Sequence, residues 1–246
     1  MEKLKKEAEE LVNLIESTLN STKLPENENS TTFLAILIKD LTIFKVVLKL
    51  IDFNDTGAAC MILGRTIVES VIAVEFMKLK GMDKMLTKFR LFEFAEAKHD
   101  IDYLRRVGMN VEDLNPTEIE AKFKENINEF ERKPGEAWRS WAHTDFDGMV
   151  EELLKSRHLS SDGFQTILST YIQGSRMVHL SPQNIKFYIL GESIMYKRNM
   201  NNTRLAFISS VFSILRIATM FGQYIKNQSF VDNLDTIFKK TSRKIS

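Results

Sequence analysis

The sequence has little of the chemistry that marks β-rich or disulfide-bonded proteins. Ten glycines and four prolines make up about 6% of its 246 residues, against an ordinary share of roughly 12%. Turn residues are therefore too few for a sandwich or barrel of many short strands. A single cysteine, Cys60, excludes an intramolecular disulfide framework and any cysteine-rich zinc module.

Long uncharged runs are also missing. The longest stretch without Asp, Glu, Lys or Arg spans Gly163 to Ser175, thirteen residues, whereas a membrane-spanning helix needs roughly 18. The first twenty residues alternate lysine and glutamate through an apolar stripe, unlike the continuous apolar core of a signal peptide. The sequence thus predicts no membrane span and a cytoplasmic location.

The residues that are present favour a folded protein with a large core. Hydrophobic residues make up 43% of the chain, including 17 phenylalanines, and charged residues make up 27%. The 34 Lys and Arg nearly balance the 33 Asp and Glu, but from Pro182 onward ten basic residues face three acidic ones. Such a basic quarter is ordinarily a solvated surface. Contact with a nucleic acid or an anionic surface is the alternative, and RNA or another phosphate-bearing ligand is a possible partner of the protein.

Helical periodicity predicts an all-α fold, a single-domain bundle of eight or nine helices over residues 1–246. We expect an N-terminal amphipathic helix and loop at 1–29, a core bundle at 30–225, and a C-terminal helix with a basic tail at 226–246. Ser30 or Thr31 is expected to cap the second helix. The apolar stripe of the first helix consists of Leu4, Ala8, Leu11, Ile15 and Leu19.

Two segments depart from the helical pattern. Residues 186–198 place apolar side chains on both sides of Gly191 and Glu192, which suits either a small β-hairpin or a continuing helix. Residues 132–147 are predicted to be irregular. No repeat and no linker divides the chain.

The third helix contains charge within an apolar run. Arg65 and Glu69 are four residues apart and share a helical face. Arginine preceding glutamate is the weaker orientation for a helical pair, so we expect each side chain to reach a partner on another helix. The group is either a functional site or a buried network that fixes helix register.

A later helix, with the sequence YIQGSRMVHLSP, places polar side chains just before it stops. Tyr171, Ser175 and His179 follow at steps of four, and Arg176 lies three residues before His179. Gly174 permits the close approach of another backbone. A histidine at a helix C-terminus can act as a general acid or base or be a structural hydrogen-bonding residue. Together with Glu69, we name His179 and Arg176 as catalytic candidates, with Arg65, Tyr171 and Ser175 as binding candidates.

The segment WRSWAHTDFDGMVEEL is rich in aromatic residues. Trp138 and Trp141 either anchor a loop to the core or form the wall of a ligand pocket with His143. No metal site is predicted, because Glu96 and His99 form one Glu-x-x-His pair and no second pair exists. Phosphate-binding glycine loops are absent as well, and no cofactor is predicted.

The segments GRTIVES and YIQGSRMVHLSP resemble a bacterial family of uncharacterised helical proteins, domain-of-unknown-function family number 5677. The resemblance covers roughly residues 30 to 225. It matches Arg65, Glu69, Tyr171, Ser175 and His179 to the family's Arg-x-x-x-Glu helix and its late Tyr, Ser and His. The family implies an α-helical domain and no established activity.

A distant similarity points to the HEPN group of helical ribonucleases, found in bacterial toxins and phage-defence systems. Their motif has an arginine, four to six residues, and a histidine. The sequence departs from it, since Arg176 and His179 enclose two residues and Arg139 and His143 enclose three. This departure puts RNA cleavage of that type in doubt.

Two functions therefore remain open. The first is a non-catalytic binding, sensor or interaction module with a protein partner or a second copy of itself. The second is a ribonuclease or other phosphate-ester-cleaving effector of a toxin or defence system, in which Glu69 orients His179 while Arg65 and Arg176 bind phosphate. The missing motif ranks the module first.

Overall fold

A computed structural model describes residues 2–23, 26–53, 56–133, 136–137, 140–157, 161–178, 189–190, 193–194 and 200–245. Within those ranges the protein forms nine α-helices, one 3-10 helix at Glu112–Leu114 and two short strand pairs. The all-α prediction is confirmed. The helices are α1 Glu2–Ser21, α2 Glu28–Leu50, α3 Gly57–Lys80, α4 Met82–Arg106, α5 Pro116–Phe130, α6 Phe146–Lys155, α7 Ser161–Val178, α8 Met200–Tyr224 and α9 Gln228–Ile245.

Two helix starts show which side chains cap a helix. Asn27 caps α2 by accepting a hydrogen bond from the backbone N–H of Ser30, so the expected cap at Ser30 or Thr31 is wrong. Asp145 caps α6 in the same way through the N–H of Gly148. In both cases an Asn or Asp side chain reaches the N–H three residues ahead, and the helix begins sooner than its apolar pattern.

The strand pairs are too short to show alternation in the sequence. The first pair joins β1 (Glu131–Lys133) to β2 (Glu136–Ala137), so the irregular backbone predicted from residue 132 was wrong at its beginning. The second joins β3 (Ile189–Leu190) to β4 (Ser193–Ile194), with Ile189 opposite Ile194. This second pair corresponds to the hairpin alternative for residues 186–198.

The chain divides into two compact units, residues 1–74 with 159–246 and residues 75–158. In the first unit α8 packs against α2, α7 and α9, and α1 packs against α2, α8 and α9. Its core includes Phe33 edge-on to Phe221, with ring centroids 5.4 Å apart, and Phe44 stacked on Phe207. The expectation of one domain stays a prediction.

The second unit is built on α4 and α5, which pack against each other. Its core cluster consists of Phe92, Ala95, Phe123 and Phe130, each at most 5% exposed. Lys80 forms an ion pair with Glu152 of α6. Three of the four residues in the core cluster are phenylalanines, so ring packing is its main contact.

Two helices are long and apolar enough to cross a membrane by length and composition alone, Gly57–Lys80 and Asn201–Tyr224. More than half of each apolar window is buried inside the protein, 56% and 72%. A buried core helix passes the same test, so the finding is weak evidence for a span. The absence of a membrane span stays a prediction.

Candidate functional site

Helices α3 and α7 lie in close contact at Gly174. A Cβ atom added there would lie 2.5 Å from the carbonyl oxygen of Met61 and 2.6 Å from Cβ of Arg65. Only a residue without a side chain allows the two backbones this separation. The close approach expected at Gly174 is thus present, and α3 is the helix that it meets.

Arg65 is held on the same side of α3. One of its terminal nitrogens, Nη2, donates a hydrogen bond to Oε1 of Glu69 at 2.6 Å. Its guanidinium carbon lies 5.3 Å from the centre of the Tyr171 ring, which is a cation–π distance. We call Arg65, Glu69, Tyr171 and Gly174 the α3–α7 joint.

We expected Arg65 and Glu69 each to reach a partner on another helix, but their ion pair lies within α3, and of the two Arg65 also contacts another helix, at Tyr171. The two side chains are 21% and 38% exposed, so neither charge is fully removed from water. Because water still solvates both charges, neither requires a second ionic partner, and the weaker intrahelical pair satisfies them. The interhelical contact of Arg65 is instead the ring of Tyr171.

Two polar atoms at this level of the helices are buried and have no hydrogen-bond partner among the described residues. They are Nε of Arg65 and Oγ of Ser175, which follows Gly174 directly. Buried polar atoms are ordinarily satisfied. Other such atoms occur in the first unit, among them Oγ of Ser30 and Oγ of Ser213, so these two do not by themselves mark a site.

Arg176 does not share the joint's side of α7. It is exposed, and two residues of helix rotate it about 200° from Gly174. The described residues therefore bring together Arg65, Glu69 and Tyr171, without Arg176. His179 lies outside the described residues.

Buried hydroxyls connect α7 to α8 next to the joint. Oγ1 of Thr170 and Oγ of Ser209 are 2.6 Å apart, and Ser209 also donates to the carbonyl oxygen of Thr166 at 3.1 Å. Gly64 of α3 faces the same place, because a Cβ there would lie 3.2 Å from Cγ2 of Thr170. Thr170, Ser209 and Gly64 are not among the site residues predicted from the sequence. The sequence feature that indicates them is the presence of small polar residues inside apolar helices.

A second polar group connects α2 to α3. Lys39 Nζ donates to Ser70 Oγ at 2.9 Å, and Ser70 Oγ donates to Asp40 Oδ1 at 3.0 Å. Asp40 is fully buried, and burial raises its carboxyl pKa to about 6, although Lys39 and Ser70 act against this rise. The sequence signal that was missed is the spacing of Asp40 with the buried Leu37 and Phe44.

The aromatic segment of the second unit is anchored to its core. The Trp141 ring lies edge-on to Phe76 and to Phe89, with centroids 6.2 and 5.5 Å away. His143 adopts a positive φ of 58°, and its Nδ1 lies 3.3 Å from Nζ of Lys88. This geometry is typical of a loop anchor. Trp138 lies outside the described residues.

Metal-binding side chains do not gather in the part of the chain that the structure describes. No three His, Cys, Asp or Glu residues there are close enough to hold an ion. Cys60 is buried on α3 and forms no disulfide, and burial raises its thiol pKa. A thiol of this kind is a core residue rather than a reactive one.

Comparison with known proteins identifies a family but no activity. No curated protein and no solved structure matches the chain. The sequence model described as a family of unknown function, DUF5677, matches residues 33–195. The matched range includes α3 and α7, and so the whole α3–α7 joint. Since it covers more than half of the chain, the protein belongs to the family of unknown function DUF5677.

Proposed function

We propose that this protein is a non-catalytic binding or sensor module and that the α3–α7 joint is its working element. The observation that carries the proposal is the position of Arg65. Its side chain pairs with Glu69, contacts the ring of Tyr171 and remains 21% exposed. An arginine in this state can exchange one anionic partner for another. The ligand class it suits is a small molecule or peptide with a phosphate or carboxylate group.

The ion pair is weak enough to be exchanged. Partly exposed pairs contribute about 0.2–1 kcal/mol, and the order of Arg65 and Glu69 along the helix is the less favourable one. A ligand anion that displaces Glu69 can form two parallel hydrogen bonds to the guanidinium. Tyr171 keeps Arg65 in place during the exchange, since the ring contact does not depend on Glu69.

Ligand binding at this point has a route to the rest of the first unit. The Cβ atom of Arg65 lies close to Gly174 across the two helices, so a movement of α3 at Arg65 alters its contact with α7. Helix α7 is in turn fixed to α8 by Thr170 and Ser209. A sensor of this design changes the separation of α3 and α7 when Glu69 is released.

The first test is thermal unfolding of the full chain with increasing inorganic phosphate or pyrophosphate. We expect the wild type to be stabilised, Arg65→Gln to lose that effect, and Glu69→Gln to bind about 1.5- to 5-fold more tightly because the competing carboxylate is gone. Arg105→Gln is the matched control, since it also removes an exposed Arg–Glu pair, Arg105 with Glu120 at 2.7 Å. Equal stabilisation of Arg65→Gln and Arg105→Gln contradicts the proposal.

The second test separates the module from the alternative effector, which uses Arg65, Glu69, Arg176 and His179 to cleave phosphate esters. The wild type and His179→Ala are induced in bacteria and also incubated, after purification, with RNA. We expect normal growth and intact RNA for both, with circular dichroism confirming that both fold. Growth arrest and RNA cleavage by the wild type alone would establish the effector instead.

A further inference from the structure

The turn that joins α4 to α5 in the second unit has a backbone fixed by its own hydrogen bonds. It begins at Gly108, which has a positive φ of 79°, and the N–H of Met109 donates to the carbonyl oxygen of Leu104 at 2.9 Å. This is the longer hydrogen bond of a Schellman motif. The 3-10 helix Glu112–Leu114 follows, and Asn115 ends it with a φ of 51°.

Exposed apolar side chains are concentrated on this turn. Eleven large hydrophobic residues are exposed in the part of the chain that the structure describes, and four of them lie within twelve positions here. They are Tyr103, Val107, Met109 and Leu114, at 55%, 52%, 60% and 44% exposure. Such a concentration is typical of a surface that binds another molecule. We call residues 103–118 the α4–α5 tip.

The charges next to these apolar side chains are mainly negative. An open depression of about 560 Å³ lies on the tip, and its charged lining residues are Glu112 and Glu118. Neither carboxylate has an ion-pair partner among the described residues. Asp113 is exposed beside Glu112. The depression thus offers two available negative charges next to the exposed Leu114.

The two arginines of the tip do not cancel the charge of the depression. Arg105 donates a hydrogen bond of 2.7 Å to Glu120, so its charge is already paired. The guanidinium carbon of Arg106 lies 5.6 Å from the centre of the Tyr103 ring. Neither arginine lines the depression, which therefore carries charge of one sign.

We infer that the α4–α5 tip binds a partner protein through a segment that carries both basic and apolar side chains. The lysines or arginines of this segment pair with Glu112 and Glu118, and its apolar side chains cover Met109 and Leu114. Charge complementarity selects such a partner. The same carboxylates repel the phosphates of nucleic acids and of anionic membranes.

The apolar part of the tip distinguishes a protein segment from a free cation. A small cation in the depression pairs with the two glutamates but leaves Val107 and Met109 exposed, whereas a peptide can cover both kinds of side chain. This inference is independent of the proposed function, because the tip belongs to the second unit and the α3–α7 joint to the first.

Fluorescence anisotropy of labelled peptides with the full chain tests the inference. The probes are two leucine–lysine peptides of about 12 residues, one alternating and one with helical period, each with a leucine–glutamate and a serine–lysine counterpart. We expect at least one leucine–lysine peptide to bind about tenfold more tightly than both of its counterparts. Binding of neither leucine–lysine peptide, or equal binding of a counterpart, overturns the inference.

Charge variants locate the binding surface. Glu112→Gln combined with Glu118→Gln should weaken binding of the leucine–lysine peptide about 2- to 30-fold, as expected for two exposed ion pairs. Glu93→Gln combined with Asp100→Asn is the matched control, because it removes two exposed carboxylates from α4 in the same unit. The control should change binding by less than about 1.5-fold. Equal effects of the two double variants would mean that net charge alone attracts the peptide, against the inference.

An apolar variant and the oligomeric state complete the test. Met109→Ser should weaken binding at least about threefold, because it removes apolar surface that the peptide covers. Leu154→Ser, at a 44% exposed leucine of α6, should leave binding unchanged, and circular dichroism confirms that every variant folds. If sedimentation without peptide shows self-association that Glu112→Gln abolishes, the occupant is a second copy of the chain and the inferred partner is wrong.

Discussion

The contact among three helices of the first unit and the aromatic cluster inside the second unit are packed in different ways. In the first, α3, α7 and α8 approach through glycines and small hydroxyl residues, and Thr170 and Ser209 share a buried hydrogen bond of 2.6 Å. In the second, aromatic rings fill the interior, with Phe92 and Phe130 edge-on at 5.4 Å and Phe89 and Trp141 at 5.5 Å. The first contact depends on the absence of side-chain volume and the second on its presence.

This difference predicts opposite sensitivities. A contact between backbones tolerates the loss of a methyl group but not its addition, because close-packed atoms have nowhere to move. An aromatic cluster responds most strongly to truncation, which leaves a cavity. The first unit also encloses a buried carboxyl group, Asp40, so part of its stability depends on pH.

The largest effect is expected in the aromatic cluster. Phe130→Ala should lower the free energy of unfolding by about 3–5 kcal/mol, because Phe130 is fully buried and its removal leaves a cavity. Denaturant unfolding followed by circular dichroism measures the change. Phe53→Ala, at a 62% exposed phenylalanine, should change stability by less than about 0.5 kcal/mol. Similar losses for the two variants would show that ring packing does not stabilise the second unit.

The elements that the sequence predicts well are those with a long apolar period. The amphipathic stripe of α1 predicts a helix from Glu2 to about Asn20, and the structure has Glu2–Ser21. The sequence also predicts a close approach at Gly174, although it does not specify the helix that Gly174 meets. Both predictions rest on information local to one helix.

Contacts between helices could not be predicted in the same way. Asp40 meets Ser70 across 30 positions of sequence, and Thr170 meets Ser209 across 39. Which residues meet depends on where the helices cross and how they are rotated, and periodicity specifies neither. Arg65 illustrates the limit. The sequence shows Glu69 four residues away on the same helix, but it does not show that Arg65 stays partly exposed, which lets this one ion pair satisfy it.

A smaller effect is the pH dependence that Asp40 of the first unit gives to stability. Burial raises the pKa of Asp40 from 3.8 to about 6, so the native state binds its proton more tightly than the unfolded chain does. The free energy of unfolding should therefore rise as the pH falls from about 6 to about 4, by at most about 3 kcal/mol. Asp40→Asn, which carries no titrating group at this position, should lack that rise.

The comparison of unfolding curves at several pH values isolates this contribution, because other groups cancel between wild type and variant. Ser70→Ala provides a directional check. Its hydroxyl donates to the Asp40 carboxylate and lowers the Asp40 pKa, so its removal should extend the pH-dependent range upward. Identical pH profiles for wild type and Asp40→Asn would mean that the carboxyl group does not titrate differently in the folded protein.

The smallest effect tests the close contact at the α3–α7 joint. Gly174→Ala adds one methyl group 2.5 Å from a backbone oxygen, so α3 and α7 must move apart. Overpacking of this kind lowers stability by about 1–3 kcal/mol, and the better helix propensity of alanine returns up to about 1 kcal/mol. We therefore expect a net loss of about 1–2 kcal/mol in denaturant unfolding.

Gly64→Ala is the matched control for this contact, because it lies on α3 in the same group of helices. Its added Cβ would meet Cγ2 of Thr170 at 3.2 Å and Oγ of Ser210 at 3.3 Å, which can shift slightly, and Cβ of Ala206 at 3.4 Å, an ordinary van der Waals distance. Its effect should stay within about 1 kcal/mol of zero, since relaxation and helix propensity offset the crowding. If Gly64→Ala destabilises the protein as much as Gly174→Ala does, general crowding of the helices explains both losses. If only Gly174→Ala destabilises it, the close backbone contact beside Arg65 and Tyr171 is specific to Gly174.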